Sequence, residues 1–308
     1  MKHLLTRRDV CKFLAALPAA GSLAPGQGCT AERFSFRWIL ASSLYGTLPV
    51  DQILGEVAKT GARQIDLWPK RHADQREQVE AMGHDRFAAL LKKHGVGLGM
   101  TTRYDLGPFG LKEELKFLKR FGGRLIVTGA VGPRDLSGPE CRQAVGRFVE
   151  QMKPHVAAAE EQGITIGIEN HGHSLVSTPD SIRYLAEMAG SPRLGIALAP
   201  YHLPQDVKLL SRLIEDLGPK LVHFYAWQYG EGCMKPMPKP LELKQMPGRG
   251  ALDFRPVAAA LAKIGYAGWT EIFMHPTPRG IPILPTLAEV TAEVNRARSY
   301  LEQLTARR

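Results

Sequence analysis

Between Phe36 and Phe273 the chain passes eight times from a short apolar run into a stretch whose apolar residues recur at spacings of three and four. The runs are "FRWILASS" from Phe36, "QIDLW" from Gln64, "VGLGMTT" from Val96 and "RLIVTGA" from Arg124, then "ITIGIEN" from Ile164, "LGIALA" from Leu194, "LVHFYAW" from Leu221 and "GWTEIF" from Gly268. Few of them alternate apolar with polar, so both faces of each strand must be covered. Strands apolar on both faces, each followed by a helical pattern, are parallel strands under helices. Eight such units in about 270 residues fit a (β/α)8 barrel. A doubly wound open sheet is the competing architecture, and it prefers a glycine-rich phosphate turn after its first strand. "SSLYG", Ser42 to Gly46, is not one.

The helical stretches have readable ends. "VDQILGEVAKTG" puts Val50, Ile53, Leu54 and Val57 on one face and stops at Gly61, and "DRFAALLKKHG" stops at Gly95. Glycine suits these stops because it takes the left-handed conformation that ends a helix. "DSIRYLAEMAG" is expected to open at Asp180 and end at Gly190, and "DFRPVAAALAKIG" to open at Asp253 and end at Gly265.

The first residues do not belong to this rhythm. "MKHLLTRRDVCKFLAALPAAGSLAPGQGC" has a basic start and an apolar run, Phe13 to Ala24, too short to span a bilayer. "TRRDVCK", Thr6 to Lys12, resembles a twin-arginine export signal, with Val10 and Cys11 in place of the usual Phe and Leu. The expected organisation is a leader over 1–30, cleaved between Ala19 and Ala31, then a single barrel domain over 31–308 in an exported, periplasmic protein. The chain has a net charge of +10, of which Lys2, Arg7, Arg8 and Lys12 against Asp9 account for +3. The remainder is spread along the chain without the basic, aromatic-interleaved stripe of a nucleic-acid reader, so no nucleic-acid partner is expected. Cys11 and Cys29 fall in or beside the leader. Cys141 and Cys233 are the body's pair; nothing requires them to form a disulfide, and no Cys/His cluster has zinc spacing.

A barrel places chemistry at the C-terminal ends of its strands. There the sequence puts Ser42, Ser43, Asp66, Trp68, His72, Thr101, Thr102, Arg103 and Thr128 in the first half. The second half has Glu169, Asn170, His171, His202, His223, Tyr225, Trp227, Glu271 and His275. Glu169 shares a strand face with Gly167 and Thr165. Glu271 sits inside "WTEIF" with no turn signal, where an unpaired carboxylate is costly to bury. It needs a cation, a hydrogen-bond network or a proton; an interior Lys or Arg would be the plain structural answer.

Taken in order, Glu169 at the end of the fifth strand, His223 in "VHFY" on the seventh, "PGRGALDF" from Pro247 and Glu271 in "GYAGWTEIF" resemble the xylose-isomerase-like superfamily of sugar isomerases and epimerases. The resemblance spans residues 36–305. It implies a xylose isomerase-like TIM barrel acting on a small-molecule carbohydrate by metal-assisted proton transfer, with isomerisation, epimerisation and elimination as alternatives. It implies Glu169 and Glu271 as acid/base groups and as ligands of a divalent metal (Mn, Zn, Co, Fe or Mg) with His223. His202 and His171 would contact substrate, His202 also standing as a metal ligand. Trp68, Tyr225 and Trp227 would wall the sugar ring.

Two positions depart from that pattern. Where the family has an aspartate three residues before the sixth-strand histidine, this chain has Ala199 before His202. Where family epimerases hold substrate with an arginine six residues after the seventh-strand histidine, it has Tyr229. The residues therefore leave open a non-catalytic carbohydrate-binding barrel that has lost its metal. An apurinic-site endonuclease, also of this superfamily, needs a richer His/Asp set. The stretch Gly230–Gly250 is long for a strand-to-helix connection. Its Lys235, Lys239, Lys244 and Arg249 suit a lid over an acidic or polyhydroxylated ligand, or a surface excursion.

Overall fold

A computed structural model describes residues 34–306. The twin-arginine-like segment, the cleavage region, Cys11 and Cys29 lie outside the described residues. In chain order the elements are β1 (Arg37–Ala41), α1 (Val50–Val57), β2 (Gln64–Leu67), α2 (Gln75–Met82), α3 (His84–His94), β3 (Gly97–Thr102), α4 (Lys112–Phe121), β4 (Leu125–Gly129) and α5 (Gly138–Gln162). The second half adds β5 (Thr165–Glu169), α6 (Pro179–Met188), β6 (Leu194–Leu198), α7 (Val207–Leu217), β7 (Leu221–Ala226), α8 (Lys239–Glu242), α9 (Phe254–Lys263), β8 (Trp269–Ile272) and α10 (Leu287–Ala306). Each strand pairs in parallel with the next and β8 closes on β1, so the eight strands form one barrel. This is the (β/α)8 architecture expected from the apolar rhythm.

Strand burial follows the sequence. β6 is buried along its whole length and β4 nearly so, as helix-covered parallel strands require. Two register shifts interrupt the strand pairing. Ile65 pairs with Leu98 but Asp66 with Met100, and Ile196 pairs with Leu221 but Ala197 with His223. Gly99 and Val222 are thus extra residues in bulges, which re-aim the side chains beyond them. The Val222 methyls press against Gly195 so closely that no β-carbon fits there. Glycine in "LGIALA" therefore makes room for the bulge that sets the phase of His223.

Gly61 and Gly95 end their helical segments with left-handed φ, as expected, and Asp253 caps α9 by accepting the Arg255 N–H. The start of α6 differs. Thr178, not Asp180, is its cap: Thr178 Oγ1 accepts the Ser181 N–H at 3.2 Å and Ser181 Oγ accepts the Thr178 N–H at 2.9 Å. Pro179 fixes the first helical φ and pushes the capping position back to Thr178.

Gly230–Gly250 is built rather than open. Gln245 accepts from the Trp227 indole at 3.1 Å and donates to the His275 carbonyl at 2.8 Å. Gln228 donates to the Met246 carbonyl at 2.6 Å. Three of the four cations of this segment are ion-paired: Lys235 with Glu231, Lys239 with Glu242, Arg249 with Glu293. Cys141 and Cys233 are separate, buried free thiols. Among the described residues no helix is long and apolar enough to cross a membrane.

Candidate active site

Asp66 on β2, Glu169 at the end of β5 and Glu271 on β8 are all buried at the C-terminal part of the barrel, Asp66 and Glu271 with no exposure at all. Among the described residues none of the three is ion-paired to a lysine or arginine, so the plain structural answer for Glu271 does not hold. Their neighbours are other titratable groups. His223 Nε2 lies 3.1 Å from Glu271 Oε2, and His202 Nε2 lies 3.8 Å from Glu169 Oε1. Thr102 donates its hydroxyl to Asp66 Oδ2 at 2.7 Å.

Clustering and burial set the protonation. Burial, then the charge of Glu271, raises Glu169 well above the ordinary carboxylate range, with the Tyr225 hydroxyl opposing. The same two causes raise Asp66, against the Thr102 and Trp68 side chains. Burial raises Glu271, with Trp68 and Asp66 opposing. It works the other way on imidazoles: His223 is lowered to about 3 by burial, and His202 to about 3 by burial and then by His171 and Arg279. At neutral pH these imidazoles are neutral, and the carboxyls retain protons or require a cation.

These shifts make stability depend on pH. A carboxyl whose folded-state pKa is raised stabilises the fold fully below the unfolded pKa, and that contribution is lost as pH rises through the folded value. In metal-depleted protein, Glu271→Gln should therefore melt progressively higher relative to the wild type as pH rises from 5 to 8. A tenfold change in proton affinity is worth about 1.4 kcal/mol, and each kcal/mol is worth about 2–4 °C, so the gap should widen by about 3 °C or more. Calorimetric melting of both proteins checks this; a gap that stays constant or narrows contradicts the shift of Glu271.

The fit to a divalent ion turns on orphaned atoms. Both oxygens of Glu271 and both ring nitrogens of His223 are buried and make no well-formed hydrogen bond, the 3.1 Å approach of Nε2 to Oε2 included, and Asp66 Oδ1 and the Tyr225 hydroxyl are buried without a partner. Carboxylate oxygen and imidazole nitrogen are the donors that manganese, zinc, cobalt and iron accept, so the residues fit in donor chemistry. Ala199 adds no donor, and its backbone is tied to Asn170: the Ala199 N–H donates to Asn170 Oδ1 at 2.8 Å and Asn170 Nδ2 donates to the Ala199 carbonyl at 3.0 Å. Among the described residues no group of three His, Cys, Asp or Glu is already arranged to hold an ion. The donors stand instead as the pairs His223–Glu271 and His202–Glu169, with Asp66 beside Glu271.

A cavity of about 460 Å3 opens at this end of the barrel, lined by Trp68, His171, His202, Trp227 and Glu169 among others. A larger hollow, about 610 Å3, lies beside α2 and α4. There Arg76, Glu114 and Arg103 satisfy one another, and none of the barrel carboxylates reaches it. Trp68 stacks on Phe273 with centroids 4.9 Å apart, and Trp227 on Tyr201 at 4.0 Å. The expected aromatic wall is thus present, with one change. Tyr225 does not line the cavity; it is fully buried against His223, centroids 4.4 Å apart. The Val222 bulge places His223 and Tyr225 together on the floor.

Asp66 stands among the strand-end residues that the sequence offers but receives no role there, and Arg279 is not offered at all. Asp66 in "QIDLW" has the same signal as Glu271, a carboxylate between apolar neighbours within a strand. Arg279 lies beyond the last strand in an irregular segment and gives no periodic signal. His72 and His275, which also line the cavity, stack with centroids 4.5 Å apart.

Residues 54–298 match the family model described as xylose isomerase-like TIM barrel. No curated protein matches the sequence. Solved structures that the chain resembles include D-psicose 3-epimerase with D-tagatose from Clostridium cellulolyticum H10, 17% identical over 88% of this chain and 99% of that one, with a TM-score of 0.65. A probable 3-DHS dehydratase, AsbF, from Bacillus anthracis is 14% identical over 89% and 100%, TM-score 0.61. The IOLI protein with a binding zinc atom is 15% identical over 88% and 97%, TM-score 0.62. At these identities the likeness is one of fold.

Proposed function

The chain belongs to the xylose isomerase-like TIM barrel family, and from that premise we propose that it is a sugar isomerase or epimerase, or a closely related lyase, that moves a carbon-bound proton with its buried carboxylates. One observation carries the reading: carboxyls from β2, β5 and β8 are buried near enough for Glu271 to raise both Asp66 and Glu169, and among the described residues none of the three is ion-paired to a lysine or arginine. Two of the resembling structures are an epimerase and a probable dehydratase, which agrees with proton removal beside a carbonyl.

Glu169 lines the cavity and is the group that meets the substrate. Its raised proton affinity, maintained by burial and by Glu271, makes it a strong enough base to take a proton beside a carbonyl and an acid able to return one. His202, held neutral at 3.8 Å, positions that carboxyl and offers a ring nitrogen to a sugar hydroxyl. Glu271 exchanges the second proton, with His223 Nε2 3.1 Å away. Glu271, His223, Asp66 and Glu169 are the residues that would hold a divalent cation. Such an ion supplies Lewis-acid polarisation of the reacting carbonyl. Trp68 and Trp227 exclude water from the ring.

Ala199 favours a second reading, a carbohydrate-binding barrel without chemistry. Proton NMR in D2O separates them, using protein supplied with Mn2+ or Co2+ and then stripped of free ion before D-fructose, D-psicose or D-tagatose is added. The enzyme reading expects loss of the proton beside the carbonyl and growth of an isomer. Sugars that bind but keep that proton contradict it.

A further inference from the structure

The cavity is electrically lopsided. Glu169, at its base, is the only acidic residue in its lining, whereas Arg71 and Arg279 stand in the wall. Among the described residues neither arginine has a carboxylate partner. Arg279 Nη2 reaches only Cys233 Sγ, at 3.4 Å, and thiol sulfur is a weak acceptor. Its Nη1 is buried with no partner. Of the cations that the sequence offered for this role on Gly230–Gly250, Lys235, Lys239 and Arg249 are engaged with Glu231, Glu242 and Glu293, and Lys244 does not line the cavity. His72 in the same wall does not supply positive charge either: it is held down to about 4, by burial first and then by Arg279 and Arg71. Among the described residues the guanidinium of Arg279 is thus a fixed charge without an anion in the cavity wall, with one nitrogen left unpartnered.

We propose that the substrate is an acidic sugar whose carboxylate or phosphate is held by Arg279 at the mouth, with Arg71 beside it, so that its hydroxylated end points down to Glu169. This rests on the carbohydrate reading above and adds the substrate's charge and orientation. A guanidinium offers two parallel N–H donors that match the oxygens of either oxyanion. Among the described residues Arg71 and Arg279 are the cations of the cavity lining, so an oxyanion held there fixes which end of the molecule faces Glu169. A neutral sugar offers Arg279 only uncharged hydroxyl acceptors, and so loses the charge-assisted bonds and this orientation.

Isothermal titration of the purified protein with D-fructose, D-fructuronate and D-fructose 6-phosphate tests the proposal, using wild type and Arg279→Gln. At least one acidic sugar should bind wild type about tenfold or more tightly than D-fructose, as hydrogen bonds to a charged group are worth. Preference for D-fructuronate assigns the oxyanion as carboxylate, and preference for D-fructose 6-phosphate as phosphate. Arg279→Gln should erase the preference and leave D-fructose binding within about twofold, with Arg279→Lys between. Should Arg279→Gln fail to fold, the wild-type comparison and Arg279→Lys decide. Equal affinity for the three sugars, binding of none, or a preference that survives Arg279→Gln overturns the proposal. Proton exchange on a neutral sugar with no anion preference overturns this proposal alone. Tight anion binding without exchange on any sugar supports it and overturns the catalytic reading.

Discussion

Glu271→Gln is expected to slow solvent deuterium uptake beside the carbonyl of a turned-over keto-sugar by about 10²–10⁴-fold, the span by which positioned acid/base groups accelerate proton transfer. The amide keeps the size and shape of the side chain but can neither take nor return the proton. It also removes one of three buried carboxyls, so the fold should not be weakened. The variant is expected to retain a thermal midpoint at or above that of the wild type at pH 8, which separates lost chemistry from lost structure. Glu169→Gln should act in the same direction, because that carboxyl lines the cavity. Rates measured by proton NMR under identical ion loading check both. A Glu271→Gln enzyme within tenfold of wild type removes Glu271 from the chemistry.

The largest expected loss of stability lies outside the site, at Glu114. Its carboxylate is 2% exposed and receives two guanidinium groups. Arg76 donates from Nε and Nη2, each at 3.0 Å, and from Nη1 to Glu80 at 2.5 Å. Arg103 adds a short contact to Glu114 and pairs with Asp105 at 2.7 Å. Arg76 also lies 3.7 Å over the Phe117 ring. Glu114→Ala leaves two largely buried cations without their shared anion, a defect worth about 3–5 kcal/mol. At about 2–4 °C per kcal/mol, the thermal midpoint should fall by about 10 °C. Removing an exposed pair such as Lys263–Glu215 should cost under about 1 kcal/mol. Scanning calorimetry of the two variants gives the comparison; a Glu114→Ala midpoint within about 2 °C of wild type contradicts it. The network also touches function. Arg103 is next in the chain to Thr102, the donor to Asp66, so loss of Glu114 should loosen the floor as well.

The barrel is legible because helix-covered parallel strands need apolar residues on both faces, and that composition is visible without coordinates. Glu271 and Glu169 are legible for the related reason that a carboxylate in such a strand is expensive unless used. Asp66 obeys the same rule but does not stand out in its own segment. What sets it apart is the Thr102 hydroxyl from the adjacent strand and the nearby Glu271, neither of which that segment reveals. Tyr225 belongs to the floor and not to the wall because the phase of β7 depends on the Val222 bulge. A bulge is a relation between two strands and leaves no mark on either alone. Arg279 is out of reach of periodicity, since its position depends on how an irregular segment packs over the mouth. At Thr178 the local rule is available in the sequence: a threonine before a proline is a helix start.

At the centre of the site stand carboxyls that, among the described residues, have no lysine or arginine partner. Titration of Mn2+ into metal-depleted wild type and Glu271→Gln, measured calorimetrically, tests that most directly. One ion should bind per wild-type chain, and the variant should bind it at least about tenfold more weakly, the scale of losing a group at a metal site. A wild-type protein that takes up no ion, or a variant that binds it equally well, would contradict a cation-binding role for these carboxyls.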